Sequence, residues 1–250
     1  MDFSKFSGRR EALEKIKRFC DPVTPVMLYR TTVFSHAQHV EWLVEDIITR
    51  AKEVYADFDG EFARALALVH DDIEIVIGDV QLNRKELMTQ AGYAELVERE
   101  GRAGSDLAKR WPHKVNGYCY GELLSAEHSM DRVEAQVVKY CDKLDALGES
   151  LHEVFAGNNY FIVPAKLYVN VRIPKLLTDF PAVAKLCTPN HPLFCPVVLP
   201  DIVEVAKKSK PHTAESVKLN SRIPFYERWK EVTIKHAGLK PLVEQKEHLI

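Results

Sequence analysis

The sequence lacks the features of secreted and membrane-spanning proteins. Its five cysteines are scattered and no two form a CxxC pair, so neither a disulfide framework nor a zinc knuckle is indicated. No apolar run approaches the ~20 residues that a membrane-spanning helix needs. Residues 1–5 do not contain the apolar core of a signal peptide. We therefore expect a cytoplasmic protein with reduced thiols and no association with a membrane.

The chain also has no excess of positive charge. Its 34 Lys and Arg side chains are balanced by 36 Asp and Glu, which gives a formal net charge of -2. A protein with this balance has no general affinity for nucleic acid, so we expect no nucleic acid polymer among its partners. The length of 250 residues suits one large domain or one domain with an appended subdomain.

Strand signals are few and apolar residues recur at helical spacing, so the sequence predicts an all-α fold. In chain order, the predicted helices cover residues 8–20, a stretch through Ile48 that begins at the N-cap Ser35, and residues 59–70, 85–109 and 130–155. The glycines at positions 92, 101 and 104 are expected to divide the fourth helix.

Prolines become frequent after residue 164 and interrupt short helical pieces, such as residues 175–186 and 224–236. We therefore expect a helical domain over residues 1–164. Residues 165–250 are expected to form a helical, proline-interrupted C-terminal extension that packs on it.

One short stretch carries the strongest chemical signal. An apolar run over residues 65–69 ends abruptly in His70 and Asp71, and Glu74 follows three residues later. An unpaired carboxylate beside a core is costly, and a bound cation would remove that cost. A histidine and an aspartate side by side at a helix end can bind one ion through a ring nitrogen and a carboxylate oxygen.

Two further residues lie beside apolar helix faces and could complete a metal site. His36 precedes the His70-Asp71 doublet and Asp142 follows it. Two imidazoles and two carboxylates suit one divalent transition metal ion, Co²⁺, Mn²⁺, Fe²⁺ or Zn²⁺, with positions left for water and substrate. The structural alternative is a capping pair at the helix end, with Asp142 as a surface residue paired with Lys139.

These residues resemble a known superfamily. The order His36 … His70-Asp71 … Asp142 is similar to that of the HD-domain metal-dependent phosphohydrolases. Several segments resemble more closely the bacterial 5′-deoxynucleotidases of that superfamily, which are small helical homodimers. The matching segments, over about residues 25–160, are Arg30-Thr31 leading to Ser35-His36, His70-Asp71-x-x-Glu74 followed by Gly78-Asp79, Val138-Lys139 leading to Asp142, and Ala156-Gly157-Asn158-Asn159.

The resemblance implies a role for each of these residues and a possible homodimer. His36, His70, Asp71 and Asp142 would be the metal ligands, with His39 as the alternative first ligand. Glu74 would act as a general acid or base beside the water or the leaving group. Asp79 would approach the sugar and accept a hydrogen bond from a 3′-hydroxyl; the alternative for Asp79 is an ordinary turn after Gly78.

The chain departs from the family pattern where the substrate phosphate should bind. The family usually has an Arg-Trp pair upstream of the first ligand, and residues 22–25 contain neither. Contacts to the phosphate are therefore expected from Arg30, with Arg84, Lys85 and the C-terminal segment as alternatives.

The sequence thus predicts an HD-domain helical bundle that hydrolyses the phosphate ester of a (deoxy)nucleoside 5′-monophosphate. One alternative is a different leaving group, in a nucleoside triphosphate triphosphohydrolase or a cyclic-nucleotide phosphodiesterase. Another is a regulatory HD protein that binds metal or nucleotide without turnover.

Overall fold

A computed structural model describes residues 2–20, 27, 31–155 and 158–187 of the chain. Over these residues the all-α prediction is confirmed, with one small two-stranded antiparallel sheet as an addition. Arg30, the Ala156-Gly157 pair and the helix predicted at residues 224–236 lie outside the described residues. Among the residues described, no helix is both long and apolar enough to cross a membrane.

The described residues form two compact units. The first comprises residues 2–20, 31–45 and 58–138, and the second comprises residues 27, 46–57, 139–155 and 158–187. Two long helices, Val33–Val54 and Val133–Phe155, contribute residues to both. The elements up to α8 are α1 (Arg9–Lys15), α2 (Val33–Val54), α3 (Gly60–Val69), α4 (Glu74–Ile77), α5 (Leu82–Glu86), α6 (Gln90–Arg110), β1 (Lys114–Val115), β2 (Tyr118–Cys119), α7 (Tyr120–Ser129) and α8 (Val133–Phe155).

Helix α3 forms where the sequence predicts it. Asp59 is the N-cap, and its side chain accepts a hydrogen bond from the Phe62 N–H at 3.0 Å. Phe62, Leu66 and Val69 recur at helical spacing and are fully buried. The helix therefore presents one apolar face to the core of the first unit and carries His70 at its end.

Helix α2 begins at Val33, three residues earlier than an N-cap at Ser35 predicts. Ser35 is not the N-cap but the third helical residue, and it is paired with Thr32. The Ser35 N–H donates to Thr32 Oγ1 at 3.2 Å, and the Thr32 N–H donates to Ser35 Oγ at 3.1 Å. This reciprocal pair satisfies two backbone donors at the start of the helix and fixes where the following turn, with His36, begins.

Helix α1 is shorter than the predicted stretch of residues 8–20. It ends at Lys15, and the next residues pair with the chain that leads into α2. The Val33 N–H donates to the Ile16 carbonyl at 3.1 Å, and the Arg18 N–H donates to the Thr31 carbonyl at 3.2 Å. Because these backbone groups bond across the chain, the apolar periodicity that continues beyond Lys15 does not extend the helix.

Between residues 85 and 121 the structure differs from the sequence prediction in two places. The three glycines do not divide α6, which is continuous because Thr89 caps it and Leu96 and Leu107 anchor it in the core. The β1–β2 hairpin was not predicted. Its turn residues Asn116 and Gly117 both have positive φ angles, 50° and 89°, as the tight hairpin turn requires.

The second unit continues after α8 in short helical pieces, as the prolines predict. The predicted helix over residues 175–186 is in fact two helices, interrupted at Phe180 just before Pro181. The elements are a 3-10 turn (Asn159–Phe161), α9 (Ile162–Leu167), a π-helical turn (Tyr168–Arg172), α10 (Ile173–Asp179) and α11 (Pro181–Ala184).

Candidate metal centre

Three ligand atoms converge where α3 ends beside the first turns of α2. The Nε2 atoms of His36 and His70 are 3.2 Å apart, and each lies 3.3 Å from Asp71 Oδ2. Transition metals bind nitrogen and oxygen ligands at about 2.0–2.2 Å, which separates ligand atoms on one ion by roughly 3 to 3.5 Å. The three atoms therefore have the spacing of a shared metal ion.

The backbone at the end of α3 fixes the orientation of His70. The last carbonyls of a helix have no partner within the helix, and the Ala67 carbonyl is 2.7 Å from His70 Nδ1. In the neutral tautomer that carries its proton on Nδ1 and donates it to this carbonyl, Nε2 offers a lone pair to a metal on the side of His36 and Asp71. A hydrogen bond of this kind on the far ring nitrogen is typical of metal-binding histidines.

Asp71 is held in its ionised form. Burial opposes ionisation, but the charge of His70 and hydrogen bonds from His36 and His70 outweigh it and hold the pKa of Asp71 well below its ordinary value. A carboxylate must lose its proton before it can bind a metal. Both imidazoles are almost fully buried, whereas 22% of the Asp71 side chain is exposed, so solvent reaches the cluster from the side of Asp71.

Glu74, the first residue of α4, carries a polar atom without a partner. Its Oε2 atom is buried and makes no hydrogen bond to any residue that the structure describes. Burial, followed by the negative charges of Asp71 and Asp79, raises the pKa of Glu74 well above its ordinary value. A cation at the converging ligand atoms would stabilise these neighbouring carboxylates, so the residues present fit a metal ion.

Asp79 follows a sharp break in the backbone. Gly78 ends α4 with φ 77° and ψ 167°, which confirms the predicted break. Burial and the charge of Asp71 raise the pKa of Asp79, while the charge of Arg18 opposes the shift. Asp79 therefore belongs electrostatically to the same cluster as Asp71 and Glu74.

Arg18 is a residue that the sequence interpretation missed. Its positive charge acts on both Glu74 and Asp79, and the backbone bond to Thr31 ties it to the start of α2. Its guanidinium lies 5.1 Å from the centre of the Phe19 ring. Arg18-Phe19 is a basic-aromatic pair upstream of His36, and it precedes residues 22–25, where the sequence pattern placed the Arg-Trp pair.

A second missed group lies directly beside the ligand doublet. Asp72 is buried and accepts two hydrogen bonds from Arg9, Nε to Oδ2 and Nη2 to Oδ1, both at 2.6 Å. The Tyr120 hydroxyl donates to the same Oδ2 at 2.7 Å. The sequence does not reveal this group, since Arg9 and Tyr120 are both far from Asp72 along the chain.

The remaining predicted residues are placed as follows. Asp142 lies on α8 in the second unit, where its Oδ2 atom is 2.7 Å from Lys143 Nζ and 3.9 Å from Lys139 Nζ. Its role as fourth ligand stays a prediction. Arg30 lies outside the described residues. Of the two histidines weighed as first ligand, His36 is the one that meets His70 and Asp71.

Comparison with known families agrees with this geometry. The family model described as YfbR-like 5'-deoxynucleotidase matches residues 6–181. The match begins upstream of Arg9 and ends beyond α10, so it includes every described residue of the cluster. This is an HD-domain family, and the resemblance drawn from the sequence is confirmed. A comparison with curated proteins gave no match.

Proposed function

The chain belongs to the YfbR-like 5'-deoxynucleotidase family, and we propose that it is a metal-dependent phosphohydrolase that converts a (deoxy)nucleoside 5′-monophosphate to nucleoside and phosphate. The observation that carries the proposal is the convergence of His36, His70 and Asp71 at ligand spacing. A capping pair at a helix end does not require a second, fully buried imidazole from another helix.

The proposed metal site uses His36, His70 and Asp71, with Asp142 as the proposed fourth ligand. A divalent ion supplies positive charge that stabilises a phosphoryl oxygen in the transition state and lowers the pKa of water. Two neutral imidazoles with carboxylates suit Co²⁺, Mn²⁺, Fe²⁺ or Zn²⁺.

Glu74 is proposed as the acid-base group. Its buried Oε2 atom has no partner within the described protein and can exchange a proton with the attacking water or the leaving 5′-oxygen. Breaking the phosphorus–oxygen bond to the nucleoside leaves an alkoxide that must gain a proton. Burial raises the pKa of Glu74, and a carboxyl group in such surroundings can serve as a general acid.

Arg18 and Asp79 are proposed to hold the two ends of the substrate. A guanidinium binds phosphate oxygens in a bidentate manner, so Arg18 is proposed to bind the phosphate. Asp79 can accept a hydrogen bond from the sugar 3′-hydroxyl. The charge of Arg18 acts on Asp79, which supports a role for both groups at one site. Arg30 stays a prediction for the phosphate.

The test is phosphate release from a panel of ribo- and deoxyribonucleoside monophosphates with Co²⁺ or Mn²⁺ added, together with the metal content of the purified protein. We expect release by the native protein and none by His70→Ala. The matched control is His128→Ala, which removes an exposed imidazole from the end of α7 and should leave release unchanged.

Other outcomes overturn parts of the proposal. Triphosphate released from nucleoside triphosphates, with no phosphate from monophosphates, would assign a triphosphohydrolase. Bound metal without turnover of monophosphates, triphosphates or cyclic nucleotides would assign a regulatory protein. A protein that binds no metal would contradict the proposed site.

A further inference from the structure

A buried ion pair lies next to the His70–Asp71 doublet and has no part in the proposed chemistry. Arg9 holds both oxygens of Asp72 at 2.6 Å, and Tyr120 donates a third hydrogen bond to that carboxylate. All three side chains are nearly or fully buried. Burial and the Asp72 charge raise the pKa of Tyr120, so its hydroxyl remains a donor.

This network contacts the backbone that carries the proposed ligands. Arg9 Nη2 also donates to the Leu68 carbonyl, next to the Ala67 carbonyl that orients His70. The Asp72 N–H donates to the Val69 carbonyl at 3.0 Å. Three successive carbonyls at the end of α3 are thus satisfied by His70, Arg9 and Asp72.

Asp71 and Asp72 point in different directions from the same turn. Successive side chains on a helical turn are about 100° apart, so when Asp72 is fixed by Arg9, the rotation of the turn and the direction of Asp71 are fixed as well. The bidentate pair allows little rotation because the guanidinium is planar and both of its bonds must be kept.

We infer that Arg9, Asp72 and Tyr120 are positioning residues, which hold His70 and Asp71 in the geometry that binds metal. Buried ion pairs contribute little net stability compared with apolar replacements. The contacts of Arg9 and Asp72 with the last carbonyls of α3 are what act on the direction of the ligand atoms. This inference rests on the proposed metal site and adds residues that do not touch the metal.

The expected effect is a loss of metal affinity. Removal of outer hydrogen-bond partners typically weakens metal binding by about 10–100-fold. We expect Asp72→Asn, which keeps the size but loses the charge that holds Arg9, to raise the Kd for Co²⁺ by about 10-fold or more. Tyr120→Phe removes one of the three hydrogen bonds to Asp72. It should raise the Kd for Co²⁺ by about 3-fold, which is less than the typical loss for an outer partner.

The chain offers a matched control for Tyr120. The Tyr118 hydroxyl also donates to an aspartate, Asp59, at 2.8 Å to each oxygen, but that aspartate caps the start of α3 instead of its end. Tyr118→Phe therefore removes the same group from the same unit, away from the proposed ligands. It should leave Co²⁺ affinity unchanged.

The experiment is a titration of the folded full-length protein with Co²⁺, in which the d–d absorption of the bound ion reports binding. Thermal unfolding of each variant is measured in parallel. A weaker Kd and an altered Co²⁺ spectrum in Tyr120→Phe and Asp72→Asn, but not in Tyr118→Phe, support the inference. Equal Kd values and spectra in all folded variants overturn it and leave the proposed function standing. If Asp72→Asn fails to fold, Tyr120→Phe alone decides. Absence of Co²⁺ binding in the native protein overturns both proposals.

Discussion

The two ends of helix α3 use similar side chains with opposite results. At its start, both oxygens of Asp59 accept hydrogen bonds from Tyr118, and Oδ1 also accepts from the Phe62 N–H. The Asp59 N–H in turn donates to Glu134 at 2.8 Å. Both side-chain oxygens and the backbone N–H of Asp59 therefore have hydrogen-bond partners within the protein.

At the other end the polar groups point toward one another. His36, His70 and Asp71 bring three ligand atoms together at 3.2–3.3 Å. Within the described ranges, Glu74 keeps one buried oxygen without a hydrogen bond. Burial of such groups has a free-energy cost that only an outside partner removes. The comparison supports the proposal that Asp71 serves a bound ion, whereas Asp59 caps the helix.

The largest expected effect comes from neutralising the carboxylate at the functional end. Asp71→Asn removes the charged ligand, so we expect phosphate release and Co²⁺ affinity to fall by at least about 100-fold, the upper end of the loss for an outer partner. The rise in unfolding temperature that added metal gives the native protein should also disappear. Turnover near the native rate would contradict the assignment of Asp71.

A smaller effect, on stability alone, is expected at the structural end. Asp59→Ala removes the N-cap of α3 and should lower the free energy of unfolding by about 1–2 kcal/mol. Denaturation by urea measures this change, and a Co²⁺ titration of the same variant should give the native Kd. A loss of metal affinity as large as that of Asp71→Asn would mean that the two ends are not independent.

The smallest expected effect is a pH dependence at the structural end. Burial and the hydrogen bond to Asp59 raise the pKa of Tyr118 to about 12. Because folding raises this pKa above the ordinary value of about 10, the folded state favours the neutral phenol. Its contribution to stability is present below pH 10 and is lost as the pH rises through about 12.

Urea unfolding of the native protein and of Tyr118→Phe at several pH values between 9 and 12 measures this contribution. The stability difference between the two proteins should shrink as the pH rises. A difference that stays constant with pH would show that the Tyr118 hydroxyl does not titrate as expected.

Local patterns in the sequence were sufficient to predict α3 and the doublet at its end. The apolar spacing of Phe62, Leu66 and Val69 and the abrupt change to His70-Asp71 lie within ten residues, so no tertiary information was needed. The partner imidazole, His36, was found through its place on a second amphipathic helix. The roles of these residues in binding metal stay proposals.

Features that depend on long-range pairing were missed. The periodicity of residues 8–20 continues past Lys15, but bonds from Ile16 and Arg18 to the chain before α2 end the helix. No local pattern links Arg9 to Asp72. The hairpin turn Asn116-Gly117 was recognisable, yet its strands of two residues each are too short to show alternation.

The backbone at Gly78 has a consequence for which substitutions the protein can tolerate. Among the described residues, and apart from its two chain neighbours, a methyl group built on Gly78 would meet no atom within 4 Å, so the space for a first side-chain carbon is open. Its φ of 77° and ψ of 167°, however, fall in a region that is essentially restricted to glycine. In a saturation library, even alanine at position 78 should therefore be selected against.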